Sequence, residues 1–425
     1  MPRHERAPGF LDNQSALRRC PYLAILISVS AALLAPSKLW SAPPPVDSSP
    51  SKMALFGKRF ALGTLDTLLF FDHFFTKRST VISPNYLRRL ADVRSPLHAQ
   101  YVAYRQGKMT KSDLISTLPH IAVLGDSLTK NLYVSPPISL IWRARTEKQR
   151  NWFLDTDPSP PRIFSFYERM DKLMPVVVTD YARGAAEVTA HPGDEILAKT
   201  LARTRNFTGQ VDQILMRKRF PDLLLIWIGH NNLNWVKGLA AADRLQPANH
   251  LRELARHFHE DYARQLLRLI ERAGSEDHKV AIVVFGLADC DTFFEARNKA
   301  GALHAANPHL YPYFNICTQR FESLKPAYQA NMIALRSTLN RELKAIVNNF
   351  NRDLERFTNI RLEYSDAFAE IDLSHLELLH PMDGQHLSRK GHSVVAERAF
   401  AAVVPSLAFL RTRNGMFAAH FLKSR

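Results

Sequence analysis

A serine follows directly after a short apolar run in IAVLGDSLTK, residues 121–130. A serine hydroxyl is a weak nucleophile until an imidazole takes its proton, and the imidazole needs an acceptor for its other nitrogen. Asp383 and His386 lie three residues apart in HPMDGQHLSRKGH. In a loop that enters a helix, this spacing lets the carboxylate reach Nδ1 and leaves Nε2 facing the serine. These residues predict nucleophilic catalysis by Ser127, with His386 as the base and Asp383 as its orienting acid.

Acyl transfer to a serine also needs hydrogen-bond donors for the oxyanion of the tetrahedral intermediate. The predicted donors are the backbone N–H groups of Ser127 and Gly184 and the side-chain amide of Asn231. Gly184 lies in DYARGAAEV and Asn231 in IWIGHNNLNW, and each follows an apolar run. A glycine at position 184 suits a backbone that must approach the substrate closely.

Other polar and aromatic residues lie near these motifs. Those predicted to contribute to the substrate pocket are Asp126, His230 and Trp235. Trp227 suits packing in the core. His392 is a second candidate base, although we expect it to face the start of the last helix. His375 and His380 have no acid at a matching spacing and are predicted to be structural. With no HExxH pair and no cluster of acids and histidines, we expect no metal and no cofactor.

Apolar runs that recur along the chain predict the elements that position these groups. They are HIAVLG (120–125), PVVVTDYA (175–182), DLLLIWIG (222–229), KVAIVVFGL (279–287) and NIRLEYSD (359–366). Continuous runs of this kind are typical of strands buried on both faces, and residues 250–274 and 328–351 have helical periodicity. The alternation predicts a parallel sheet covered by helices, with the polar groups gathered at the carboxyl ends of its strands.

Taken in order, these motifs resemble the sequence blocks of SGNH hydrolases, the GDSL family of serine esterases and lipases. Residues 125–128 are Gly-Asp-Ser-Leu, and residues 383–386 match the family's Asp-x-x-His block. The second block, DYARGA, has Asp180 where the family often has asparagine. The third block, residues 229–232, ends in Asn232 where the family has an aspartate.

The resemblance covers residues 118–410. It implies a three-layer α/β/α sandwich of the flavodoxin-like kind around a five-stranded parallel sheet. It assigns Ser127 as nucleophile, Asp383 and His386 as acid and base, and the same oxyanion donors named above. It also implies a mechanism without a cofactor. The long stretch between residues 287 and 328 makes the layout most similar to phospholipase B-like members.

The N-terminus has a different character from the rest of the chain. Basic residues precede an uncharged stretch, residues 20–36, that is short for a membrane span of roughly 20 residues. It suits an export signal, and the bulky Trp40 near the cleavage position leaves an uncleaved anchor open, as well as a buried helix. The predicted organisation is a signal peptide or signal anchor (1–42), a Pro/Ser-rich linker (43–52), a helical extension (53–117), the hydrolase domain (118–410) and a tail (411–425).

The composition is globular, with 46% hydrophobic and 23% charged residues, and the formal net charge is +16. A basic excess favours anionic partners, such as an acidic membrane surface. The Lys and Arg residues are scattered and no nucleic-acid-binding signature is present, so we expect no nucleic-acid partner. Cys290 and Cys317 pair if the domain is exported, or they remain buried thiols.

The sequence therefore predicts an exported or membrane-anchored serine hydrolase of carboxylic esters, acting on acyl lipids. A carbohydrate O-acetyl esterase is the alternative within the same chemistry. An inactive SGNH-like module that binds glycans or lipids is the alternative of another class. The acyl-chain length and the oligomeric state are left open.

Overall fold

A six-stranded sheet forms the centre of the computed structural model. The structure describes residues 79–130, 150–156, 162–190, 203, 205–236, 247–311, 314, 326–354, 358–381 and 383–414. All of them belong to one unit of the chain, residues 62–425. The strands are β1 (Ser79–Ile82), β2 (His120–Gly125), β3 (Val177–Asp180), β4 (Leu223–Trp227), β5 (Val280–Phe285) and β6 (Ile360–Ser365).

The strand order is β1-β3-β2-β4-β5-β6. The five strands β2 to β6 are parallel to their neighbours, in the flavodoxin-like order. These are the five strands that the apolar runs predict. The apolar runs do not predict the sixth strand, β1, which pairs antiparallel with β3 at one edge, with Ser79 opposite Asp180.

Helices fill the connections between the strands. They are α1 (Tyr86–Leu90), α2 (His98–Arg105), α3 (Lys111–Ser116), α4 (Ser127–Lys130), α5 (Phe166–Leu173), α6 (Phe207–Leu215), α7 (Pro247–Gly274), α8 (Cys290–Ala306), α9 (Pro326–Asp353), α10 (Arg389–Ala402) and α11 (Val404–Asn414). Two 3-10 segments, His230–Val236 and Leu376–Leu378, follow β4 and precede α10 respectively.

The sheet is buried on both faces. Alternate residues of a strand point to opposite sides, so each strand contributes to two cores. Leu224 and Ile226 of β4 belong to the core that contains residues of α6, α7 and α9. Leu223 and Leu225 belong to the core that contains residues of α5, α10 and α11. This arrangement confirms the three-layer α/β/α sandwich.

The segment before β2 contains a strand as well as helices. Residues 53–117 were expected to be a helical extension, but the part that the structure describes contains β1 as well as α1, α2 and α3. A small core that includes Leu90, Leu114 and Val177 ties this part to the sheet edge. The predicted leader (20–36) and linker (43–52) lie outside the described residues. The last helix, α11, runs beyond the predicted domain end at 410, to Asn414.

Within the part of the chain that the structure describes, no single helix is long and apolar enough to cross a membrane. Among the described residues, one bent pair of helices, α10 and α11 at 45°, has the length and composition of a span. Residues of both helices, including Val395 and Leu407, are buried in the core.

Replacement of Gly391 by alanine is expected to destabilise the fold. Its Cβ would overlap the carbonyl oxygen of Leu378, where the second 3-10 segment meets the first turn of α10. Because a backbone oxygen moves only with its chain, we expect the free energy of unfolding to fall by about 1–3 kcal/mol in urea titrations. Gly301→Ala, within α8, is the control and is expected to gain up to ~1 kcal/mol. Equal stability of Gly391→Ala and the wild type would contradict the packing described.

Candidate active site

The carboxyl ends of three parallel strands bring the predicted residues to one cavity. Ser127 begins α4, separated from the end of β2 by Asp126 alone, and Asn231 lies in the 3-10 segment after β4. His386 lies in the loop that connects β6 to α10. All three residues line a cavity of about 100 Å³. The topology therefore assembles a serine, an amide and an imidazole from segments that are distant in the sequence.

The turn that presents Ser127 is fixed by side chains on either side of it. Asp126 Oδ1 accepts a hydrogen bond from the Leu128 N–H at 3.0 Å, which satisfies one of the first amides of α4. The Gln210 amide bonds both backbone groups of Gly125, with its Oε1 accepting the N–H at 2.9 Å and its Nε2 donating to the carbonyl at 2.8 Å. A Cβ at position 125 would overlap Thr129, so a side chain does not fit there.

Asp383 and His386 form a buried hydrogen-bonded pair. The Asp383 side chain is fully buried, and its Oδ2 lies 2.7 Å from Nδ1 of His386. Its other oxygen accepts the N–H groups of Gln385 at 2.8 Å and His386 at 3.1 Å. Gly384 adopts a φ of 60°, which closes this tight turn, and donates its N–H to the His380 carbonyl at 2.8 Å.

The surroundings of Asp383 keep its carboxyl ionised. Burial alone would raise its pKa, but the attraction of His386 and the hydrogen bonds from His386 and Gln385 outweigh burial and lower the pKa to about 2. An ionised acceptor on Nδ1 leaves Nε2 of His386 as the nitrogen available at the cavity. Within the described residues, His386 and Ser127 share the cavity without a direct hydrogen bond, a looseness that is common before substrate binds.

The amide of Asn231 is held in place and keeps one donor spare. Its Nδ2 donates to the Ala186 carbonyl at 2.8 Å. An amide nitrogen carries two hydrogens, so the second can serve a ligand in the cavity.

Gly184 lies in a turn beside the end of β2 and is not part of the cavity lining. Arg183 donates its N–H to the Gly125 carbonyl at 3.0 Å, and the Ala186 N–H donates to the Arg183 carbonyl at 3.2 Å. The left-handed conformation in this turn falls on Ala185, with a φ of 55°, rather than on Gly184. The turn thus aligns the Gly184 segment with the Ser127 loop.

The predicted pocket residues divide into two groups. His230 lines the cavity, whereas Asp126 and Trp235 are buried and do not. Trp235 was predicted for the pocket wall, and the structure places it in the core that packs on α7 and α9. Trp227, predicted for the core, lines the cavity as well, with its Nε1 donating to the Gly286 carbonyl at 3.1 Å.

His392 is not placed as a base. It is fully buried, does not line the cavity, and its Nδ1 accepts the Trp152 N–H at 3.3 Å. Burial lowers the pKa of His392 to about 3, so the ring stays neutral. Burial also lowers the pKa of His380, to about 4. His375 is exposed, and neither of these two histidines lines the cavity.

Two departures from the family blocks have structural roles. Asn232 is fully buried, accepts the Val188 N–H at 2.9 Å and donates to the Thr189 carbonyl at 3.4 Å. An ionised aspartate could make the first of these bonds but not the second. Asp180 accepts the Ala182 N–H at 2.8 Å and so fixes the start of the turn that leads to Gly184.

Sequence reasoning missed most of the cavity wall. Its apolar part comes largely from core residues of both layers, and these are Leu128, Leu233, Phe293, Met332, Phe368, Ile371, Leu373, Leu379, Leu387 and Val395. Their hydrophobicity marks such residues as buried but does not separate cavity wall from core. Cys290 also lines the cavity as a free thiol whose pKa burial raises to about 12. Its predicted partner, Cys317, lies outside the described residues.

A group of acids and a histidine lies away from the cavity. Among the described residues, Glu276, Asp277 and His278 are close enough together to share a metal ion. They precede β5, at the edge of the sheet opposite to the cavity, and Asp277 is fully exposed. They therefore take no part in the chemistry of the site.

Comparison with known proteins agrees with the motifs and the fold. Residues 121–399 match the family of GDSL-like lipases and acylhydrolases. No curated protein matches the chain in sequence. The crystal structure of the lipase Lip_vut3 from a goat rumen metagenome is 16% identical over 67% of this chain and 97% of its own, with a TM-score of 0.37. Another solved structure is 12% identical over 68% of this chain and 97% of its own, with a TM-score of 0.33.

The family match spans more than half of the chain, so this protein belongs to the GDSL-like lipase/acylhydrolase family. The family is one of ester hydrolases, and the chain is accordingly an ester hydrolase in this general sense. The two solved structures are too distant to carry an argument about substrate.

The low pKa of Asp383 predicts how stability depends on pH. Because the folded-state pKa is depressed, its stabilising contribution is present above the ordinary carboxyl value of about 3.9 and is lost as pH falls toward 2. We expect the unfolding free energy of the wild type to fall, relative to Asp383→Asn, by on the order of 2 kcal/mol as pH decreases from about 5 toward 2. Urea titrations across this range measure it, and a difference independent of pH would contradict the assignment.

Proposed function

We propose that the protein is a serine hydrolase of carboxylic esters that works through an acyl-enzyme on Ser127. The observation that carries the proposal is the buried Asp383–His386 hydrogen bond, whose imidazole opens onto the same cavity as Ser127 and Asn231. A base oriented by an ionised acid beside a hydroxyl is the arrangement that activates serine.

The proposed reaction has two half-reactions. In the first, Nε2 of His386 takes the Ser127 proton as Oγ attacks the ester carbonyl carbon, which forms a tetrahedral oxyanion. This intermediate collapses to an acyl-enzyme as His386 protonates the leaving alcohol. His386 then takes a proton from water, whose oxygen attacks the acyl carbon, and the returning proton restores Ser127 as the carboxylic acid leaves. The Ser127 N–H and the Asn231 amide, both on residues that line the cavity, stabilise the oxyanion. The Gly184 N–H, predicted as a third donor, lies in the adjacent turn outside the cavity lining.

Acyl lipids are the proposed substrate class. The apolar side chains around the cavity suit a hydrocarbon chain, which gains from burial at about 0.8 kcal/mol per CH₂. The net charge of +16 favours an anionic membrane surface, and the leader predicted at residues 20–36 supports export or anchoring there. Polar lining residues, among them Asn234, Asp289 and Gln385, support the second candidate, an O-acetyl esterase acting on carbohydrate.

Loss of the Ser127 hydroxyl is expected to abolish ester hydrolysis. We expect Ser127→Ala to lower kcat on p-nitrophenyl esters by at least ~10³-fold, because the acyl-enzyme cannot form. Ser275→Ala, at an exposed serine before β5, is the matched control and should leave kcat unchanged. Equal rates for Ser127→Ala and the wild type on every ester from acetate to palmitate would exclude Ser127 as the nucleophile.

The size of the cavity predicts a dependence on acyl-chain length. Met332 lines the cavity from α9, and Met332→Phe places a bulkier, stiffer side chain there. We expect kcat/KM for p-nitrophenyl palmitate to fall by about tenfold or more, since roughly two lost CH₂ contacts suffice for that change. The value for acetate should change much less. Met216→Phe, at a position that is 72% exposed, is the control. A parallel fall on both esters would show that Met332 does not contact the acyl chain.

A further inference from the structure

One buried carboxylate and one imidazole join the loops that carry Ser127 and Asn231. Asp126 is fully buried, and its Oδ2 lies 2.8 Å from Nδ1 of His230. The same oxygen accepts the backbone N–H of His230 at 3.3 Å. Asp126 immediately precedes Ser127, and His230 immediately precedes Asn231. The two loops are thus bonded together one residue before each proposed catalytic group.

The second ring nitrogen of His230 joins a third strand end. Its Nε2 lies 3.2 Å from the backbone N of Ala288, which follows β5. A backbone N–H can only donate, so Nε2 must offer its lone pair and Nδ1 must carry the proton. That proton points at Asp126, whose carboxylate accepts it. The tautomer with its proton on Nδ1 therefore makes both hydrogen bonds of the ring. Because the Nε2 lone pair is already used, His230 has no free lone pair to act as a base toward Ser127.

We propose that His230 is a positioning residue that sets the distance between the two oxyanion donors on cavity-lining residues, the Ser127 N–H and the Asn231 amide. The proposal rests on the proposed function, in which these donors bind the oxyanion. Its side chain is 13% exposed and its ring packs edge-on against Trp227, with centroids 4.9 Å apart, so it has little freedom to move. Misplacement of catalytic groups by about 1 Å costs on the order of 100-fold in rate.

Two substitutions of similar size separate positioning from packing. His230→Asn places an amide nitrogen where Nδ1 lies and retains the donor to Asp126, whereas His230→Leu has no donor. We expect kcat on p-nitrophenyl butyrate to fall by about 100-fold in His230→Leu and by no more than about tenfold in His230→Asn. KM should change little in either. Melting temperatures and titration of reactive serine with paraoxon show whether both variants are equally folded.

The outcomes are distinct. A kcat that is rescued by asparagine but not by leucine, with equal numbers of titratable serines, supports the proposal. Equal kcat in the two variants, or a loss in His230→Leu matched by a loss of titratable serine, overturns it. If the wild type and Ser127→Ala hydrolyse the ester equally, the proposed function itself fails, and the role of His230 in it fails as well.

A measurement without substrate tests the bonding directly. In ¹⁵N-histidine-labelled wild type near neutral pH, with His230→Asn used to assign the signal, we expect His230 to carry its proton on Nδ1. A proton on Nε2 would contradict the Ala288 contact and overturn the proposal.

The variant Asp126→Asn should disrupt the same hydrogen bonds. Both oxygens of Asp126 accept hydrogen bonds, one from the Leu128 N–H and the other from His230. In asparagine one of these oxygens is replaced by an NH₂ group, which would face another donor. We expect Asp126→Asn to lower kcat by about 100-fold.

Discussion

The geometry of the candidate active site depends on the buried, ionised carboxylate of Asp383. A charge removed from water is costly unless it is paired and hydrogen-bonded, and here three donors from two residues meet that requirement. The need to satisfy Asp383 fixes the turn at Gly384 and the orientation of the imidazole of His386. The loop that binds the acid therefore also aims the base, without help from the substrate.

The parallel sheet supplies the second condition, which is convergence. Strands β2, β4 and β6 are not consecutive in the sequence, yet their carboxyl ends open onto one cavity. Short polar bridges then fix the loops relative to one another. Gln210 binds both backbone groups of Gly125, and His230 joins Asp126 to Ala288. Rigid strand ends and satisfied loop hydrogen bonds are the features that allow oxyanion donors to be organised in advance.

The sequence was sufficient for the parts of the fold that produce local patterns. Continuous apolar runs placed all five parallel strands, and the spacing of Asp383 and His386 predicted their hydrogen bond. The sequence did not predict β1. This strand has only four residues, STVI, which is too few to show an alternating pattern, and its partner β3 is distant in the sequence. That Trp227 lines the cavity as well as the core, and that Trp235 lies in the core alone, depends on side-chain packing across layers, which hydrophobicity alone does not encode.

The most direct test is to trap the acyl-enzyme. Wild-type protein mixed with p-nitrophenyl butyrate, quenched in acid within the first turnover and digested, is analysed by mass spectrometry. If Ser127 is the nucleophile, the peptide that contains it gains the mass of one butyryl group, and the corresponding peptide of Ser127→Ala shows no such gain. A butyryl group on another residue, or ester hydrolysis with no acylated peptide in the wild type, would contradict this role of Ser127.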